Sequence, residues 1–213
     1  HSDKPEAVGM FPGMGSRLYS PCNEESYSNW LTAVVERYDG DGINDMPGLK
    51  YPIRHWEVLN EPEMQGPELT FYQEDSNSYL ELLKLSHQAI KAADPNAQVL
   101  LGGQAGMQSK FVDYWQPIML GAAGYFDIGN IHSISSRDLD FFASEYREFL
   151  DDNAFERTSF WVTEALVGTP PGEQKLTDDE LARRTMTGYA SSFAAGANVI
   201  FNVGGHDPTG GPG

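Results

Sequence analysis

Apolar positions along this chain alternate between two spacings. Tyr27, Trp30, Leu31, Val34, Val35 and Tyr38 fall on one face of a helix. That helix ends before the loop residues Asp39-Gly40-Asp41-Gly42. The apolar-leaning run from Ile53 to Leu59 predicts a buried strand, stopped at Asn60-Glu61 because Pro62 has no N–H to continue it. A loop from Met64 to Asp75 carries Phe71 and Tyr72. Asp75 or Ser76 then caps a helix bearing Tyr79, Leu80, Leu82, Leu83, Ala89 and Ile90, which Asp94-Pro95 ends. Ala97 to Leu101 is a strand closed by Gly102-Gly103, and residues 109–121 read as a helix with Phe111, Tyr114 and Trp115. Phe126 to His132 is the next strand, and Leu139, Phe142, Tyr146, Phe149 and Leu150 form a helical stripe. Ser159 to Glu164 is again a strand. Thr177-Asp178-Asp179-Glu180 is a capping box, opening a helix with Leu181, Met186, Tyr189 and Phe193. Asn198 to Val203 is the last strand. At the N-terminus, Ala7 to Phe11 is a short apolar run of strand type; residues 204–213 are Gly/Pro-rich and read as a flexible tail.

Strand and helix alternate throughout. That order predicts an α/β protein with right-handed βαβ crossovers and a parallel sheet. Neither a sequence repeat nor a domain linker interrupts it, and 213 residues fit one domain. Two of the strands end in glutamate, Glu61 and Glu164. One parallel sheet would bring both to its C-terminal rim, where barrels of this alternation carry their chemistry.

Charge narrows the partners. Fourteen basic against 31 acidic residues give a formal net charge of −17, which repels phosphate backbones and anionic lipid; nucleic-acid and membrane-surface roles are therefore not expected, whereas a neutral ligand is compatible. No apolar run reaches the ~18 residues that span a bilayer. A lone cysteine, Cys22, excludes an intramolecular disulfide and a cysteine-based metal site, and leaves the compartment undecided. The polar start His1-Ser2-Asp3-Lys4-Pro5 reads as a cloning-derived or a processed end, with no signal peptide visible. Asp39-x-Asp41 begins like a calcium loop, but Ile43, Asn44 and Lys50 stand at its fifth, sixth and twelfth positions. Gly102-Gly103-Gln104-Ala105-Gly106 is no dinucleotide fingerprint, and no serine lies in a nucleophile elbow.

Trp56-Glu57-x-x-Asn60-Glu61-Pro62 resembles the fourth-strand motif of the retaining glycoside hydrolases of clan A, which are (β/α)8 barrels. The resemblance extends to Ala89-Ile90-Lys91-Ala92-Ala93-Asp94-Pro95 and Val99-Leu100-Leu101-Gly102-Gly103, similar to the following helix and fifth strand. Val34-Val35-Glu36-Arg37-Tyr38 resembles the preceding helix in the β-xylosidase and α-iduronidase branch. His132 and Glu164 stand where the clan has a sixth-strand histidine and the seventh-strand nucleophile. The similarity covers about residues 27–203. It implies a partial or rearranged TIM (β/α) barrel in which residues 1–213 supply strands three to eight and the first two are lacking. Three departures mark the alignment. Ile134 stands where a tyrosine is common, Phe201 where a tryptophan often closes the eighth strand, and the early-strand arginine that bonds the nucleophile has no visible counterpart.

The resemblance implies hydrolysis of β-glycosidic bonds in a neutral glycan, with xylan, β-glucan and mannan fragments as examples, and no cofactor. Glu61 would be the acid/base and must start protonated; Glu164 would be the ionised nucleophile. Retention implies carboxyl groups ~5–5.5 Å apart. Asn60 suits the sugar 2-hydroxyl, His132 the nucleophile or the substrate, Trp56 a sugar face, and Tyr72 a wall of the cleft. Taken singly, a strand-end glutamate is more often half of a salt bridge, a rim histidine a satisfied one and a tryptophan a core residue. Trp115 on its helix belongs to that last class, and Glu57 with Arg54 reads as an ion pair. Two other readings stand beside the enzyme. One is a non-catalytic carbohydrate-binding or structural barrel remnant. The other is a fragment that assembles with another chain, a second copy included, through exposed strand edges.

Overall fold

The computed structural model describes residues 18–66, 69–134, 139–168 and 175–203. The expected strand at 7–11 and the tail at 204–213 lie outside them. Among the described residues five parallel strands alternate with helices in a single sheet of order β1-β2-β3-β4-β5. The architecture is a partial (β/α) barrel-type α/β fold. Two compact units divide the chain, His1–Gly102 with Ser109–Ile128 and Gly103–Gln108 with Gly129–Gly213.

The first unit contains α1 (Glu24–Tyr38), β1 (His55–Glu57), α2 (Ser76–Ala93), β2 (Gln98–Leu100) and α3 (Ser109–Gly121). Asn23 caps α1 and Asp75 caps α2, each side chain accepting an N–H from the first helical turn. α2 buries Tyr79, Leu80, Leu82, Leu83, Ser86, Ala89 and Ile90, the stripe that its spacing predicts. Tyr79 meets Trp115 of α3 edge to face, ring centroids 5.2 Å apart. Tyr27 of α1 bonds Ser86 at 2.8 Å. Trp30, expected on the inward face of α1, is exposed instead; only Leu31 and Val35 of that helix are buried. Arg54 pairs with buried Asp94 at 2.5 Å, replacing the Arg54–Glu57 pair expected from sequence. β1 also departs from expectation. It is three residues long with an exposed–intermediate–exposed pattern, and Ile53 and Leu59 beside it are exposed. Among the described residues its hydrogen-bonded neighbour is β2, and β1 is not the buried strand that its apolar run suggested.

The second unit contains β3 (Ile128–Ile134, from Gly129 onward), α4 (Ala143–Asp152), β4 (Ser159–Leu166), α5 (Asp178–Ala194) and β5 (Ala197–Asn202). β3 is buried on both faces up to Ser133, as a central parallel strand must be. Tyr146 of α4 accepts the Asn130 N–H at 2.9 Å and meets Phe160 of β4. The predicted capping box of α5 is present: Thr177 and Glu180 each accept the other's backbone N–H. The apolar stripe read on α5 is not its packing face, because Met186 and Phe193 are exposed. The helix instead buries Gly188 and Ser192. The ring of Phe141 fills the space that a side chain at 188 would need, and Ser192 donates to the Asp140 carbonyl at 2.6 Å. Small residues let the element approach closely, and the large ones are left outside.

Candidate functional site

In the first unit the backbone itself shapes the rim. Leu59 has φ 66° and Glu61 φ 41°, left-handed conformations on either side of Asn60. For non-glycine residues these are strained, and such strain gathers at functional sites at about 1–3 kcal/mol each. The turn is held from below. The Tyr79 hydroxyl donates to the Val58 carbonyl at 3.2 Å and accepts the Gly102 N–H at 2.8 Å. Burial pushes the Tyr79 phenol well above its ordinary range, so it stays a donor. Gly102 is required by close approach, because a Cβ there would lie 2.6 Å from the Val58 oxygen. Glu61 is buried at the end of this turn, and Met64 donates to its carbonyl at 2.9 Å. Asn60 is half-buried. Trp56 lies mid-strand on β1, half-buried, with an indole N–H that is buried and makes no hydrogen bond.

Tyr72 does not form a cleft wall. It is 1% exposed, packs beside Tyr79, and commits its hydroxyl to Ser20 and Glu74 at 2.5 and 3.0 Å. Trp115 is a core residue, as read from sequence. The Asp39–Asp45 loop folds on its own amides. Asp45 accepts from Gly40 and Gly42, Asp39 from Asp41, and Asp41 from Ile43.

In the second unit side chains do the positioning. His132, 1% exposed on β3, bonds Thr163 Oγ1 through Nε2 at 2.9 Å, and Thr163 donates to Asn130 Oδ1 at 2.7 Å. The other ring nitrogen, Nδ1, lies 3.7 Å from Glu164 Oε2. Thr163 and Glu164 are consecutive, and a regular strand would send them to opposite faces. The pairing of β4 with β5 shows how both reach one ring. Val162 pairs with Ile200 and Ala165 with Asn202, so three steps on β4 match two on β5. The extra residue is a β-bulge at Thr163-Glu164, which re-aims one side chain. The sequence carried no signal for it. His132 is also seated against bare backbone: a Cβ at Gly103 would overlap its ring. Gln104 fixes the strand alongside, accepting the His132 N–H at 2.7 Å and donating to the Asn130 carbonyl at 3.2 Å. The structure thus brings His132 and Glu164 together in this unit, and carries Trp56 within β1 and Asn60 and Glu61 in the turn after it in the other.

The fold defines a (β/α) barrel-type protein, with one carboxylate in the turn after β1 and another in the C-terminal half of β4. No protein-family model matches the sequence, and no curated protein does. Solved structures do match. The chain is similar to a glucosidase from Croceicoccus marinus, with TM-score 0.71 and 16% identity over 86% of this chain and 39% of that one. It is also similar to a family 39 glycoside hydrolase from Bacteroides cellulosilyticus WH2, with TM-score 0.57 and 19% identity over 85% and 38%. An endo-1,4-beta-mannanase from Rhizomucor miehei gives TM-score 0.55 and 15% identity over 84% and 52%. At these identities the likeness is one of fold. The chain spans about two fifths to a half of the length of these proteins.

Proposed function

We propose that this chain belongs to the catalytic barrel of a retaining β-glycoside hydrolase acting on a neutral β-linked glycan. The observation that carries the reading is Glu164 at the bulge in the C-terminal half of β4, 3.7 Å from a fully buried histidine. A half-buried carboxylate beside a buried imidazole toward the C-terminal end of a strand is what an electrostatically organised site needs. The strained Asn60-Glu61 turn and the fold shared with solved glycosidases support it. In this reading residues 1–213 are one barrel-type domain carrying its third to eighth strands.

Glu164 attacks the anomeric carbon as a carboxylate, and the leaving oxygen takes the proton of Glu61. A covalent glycosyl ester on Glu164 results, and Glu61, now a base, activates the water that hydrolyses it. Asn60 bonds the sugar 2-hydroxyl, Trp56 offers an apolar face at the β1 end, and His132 orients the Glu164 carboxylate. The test is turnover on a panel of aryl β-glycosides and soluble polysaccharides, with Glu164→Gln beside the wild type. Hydrolysis with net retention of the anomer, lost in the variant, is expected. A folded wild type inactive on every substrate would defeat the proposal.

A second reading, association with another chain, draws on the exposed Met186, Phe193 and Phe201. Light scattering across a concentration series tests it; a strictly monomeric chain counts against it.

A further inference from the structure

Glu164 faces one nitrogen of His132, and the other nitrogen is engaged by a chain of two side chains that the mechanism above does not use. Thr163 Oγ1 has a single proton. That proton goes to Asn130 Oδ1, which can only accept. Toward His132 Nε2, 2.9 Å away, the hydroxyl therefore offers a lone pair, and the bond forms only if Nε2 carries hydrogen.

We propose that Thr163 and Asn130 are positioning residues that fix the proton of His132 on Nε2, so that the ring presents Nδ1 to Glu164. The bulge at Thr163-Glu164 makes this arrangement possible, since it lets neighbouring residues of one strand address opposite nitrogens of one ring. Gly103 leaves the ring room to sit there. The consequence for Glu164 rests on the hydrolase reading. With Nε2–H fixed, neutral His132 turns a lone pair toward the carboxylate, and a proton reaches Nδ1 only together with a positive charge on the ring, 3.7 Å from Glu164 Oε2. The ring then acts on the nucleophile as an all-or-none charge, never as a neutral donor.

The experiment is long-range ¹⁵N–¹H correlation of the ring nitrogens in uniformly labelled protein, at a pH where the ring is neutral. His132 is assigned among the five histidines by the signal lost in His132→Gln. A pyrrole-type Nε2 and a pyridine-type Nδ1 are expected in the wild type. Thr163→Ser should keep that pattern, while Thr163→Val, which removes the acceptor but keeps the volume, should shift the ring to the Nδ1–H form or a mixture. Hydrogen on Nδ1 in the wild type overturns the proposal without recourse to any variant, and so does an unchanged tautomer in folded Thr163→Val. The tautomer is read without turnover. A chain inactive on every glycoside would therefore sink the hydrolase reading and leave this result standing.

Discussion

The two units place their glutamates by different means. At the end of β1 the main chain does the work. Two left-handed residues bracket Asn60, and a buried tyrosine bridges the Val58 carbonyl and the Gly102 N–H, where only glycine fits. In the C-terminal half of β4 one extra residue in the strand turns a side chain, and the final aim is set by a histidine, a threonine and an asparagine. A backbone device fixes position at the cost of strain and depends on packing beneath it. A side-chain device leaves the main chain relaxed and depends on hydrogen-bond partners. The first should break when its Gly102 and Tyr79 brace is altered, the second when the His132 ring loses its partners or its seat.

Substitution of the glutamates themselves gives the largest effects. Glu61→Gln should lower turnover of an unactivated glycoside by about 10²–10⁴-fold. It should cost far less on a dinitrophenyl glycoside, whose leaving group needs no proton. Glu164→Gln should abolish both. Paired steady-state assays check this, and equal losses on the two substrates in Glu61→Gln would remove its role as acid.

The glycines come next. Gly102→Ala drives a Cβ into a backbone carbonyl and should destabilise by about 3 kcal/mol in a denaturant titration. Gly103→Ala should do its main harm locally, displacing the His132 ring and reducing turnover about as much as His132→Ala does. Tyr79→Phe keeps the packing but strands a buried N–H and a C=O, at about 2 kcal/mol by the same titration.

The smallest effects belong to the α5 cap, far from either device in chemistry. Thr177→Ala should cost about 1 kcal/mol. Glu180 is held below its ordinary value of 4.5, first by the Thr177 N–H and then by the Thr177 hydroxyl. A depressed carboxylate stabilises the fold above its unfolded value and loses that contribution as pH falls through the folded one. Helicity should thus decline below about pH 4.5, and Glu180→Gln should flatten that slope in circular dichroism.

Element types were legible where period and punctuation agreed. Asp75 or Ser76, the α2 stripe and Asp94-Pro95 mark one helix, and Thr177 with Glu180 marks the start of another. The Glu164–His132 neighbourhood followed from the family resemblance and the strand ends. Burial was read less well, because it depends on neighbours and not on composition. Tyr72 lies on a loop yet is covered, whereas Met186 and Phe193 are apolar yet open to solvent because Gly188 and Ser192 let the other face pack. The Thr163 bulge was invisible, since an inserted residue alters pairing and leaves local pattern unchanged.

The brace beneath the β1 turn also makes a clock. The Gly102 amide hydrogen is bound to a hydroxyl that is sealed from water, so it can trade with deuterium only when the Tyr79 contact opens. Its exchange time is therefore a single-atom gauge of how often the turn relaxes, readable from one resonance before any substrate is known.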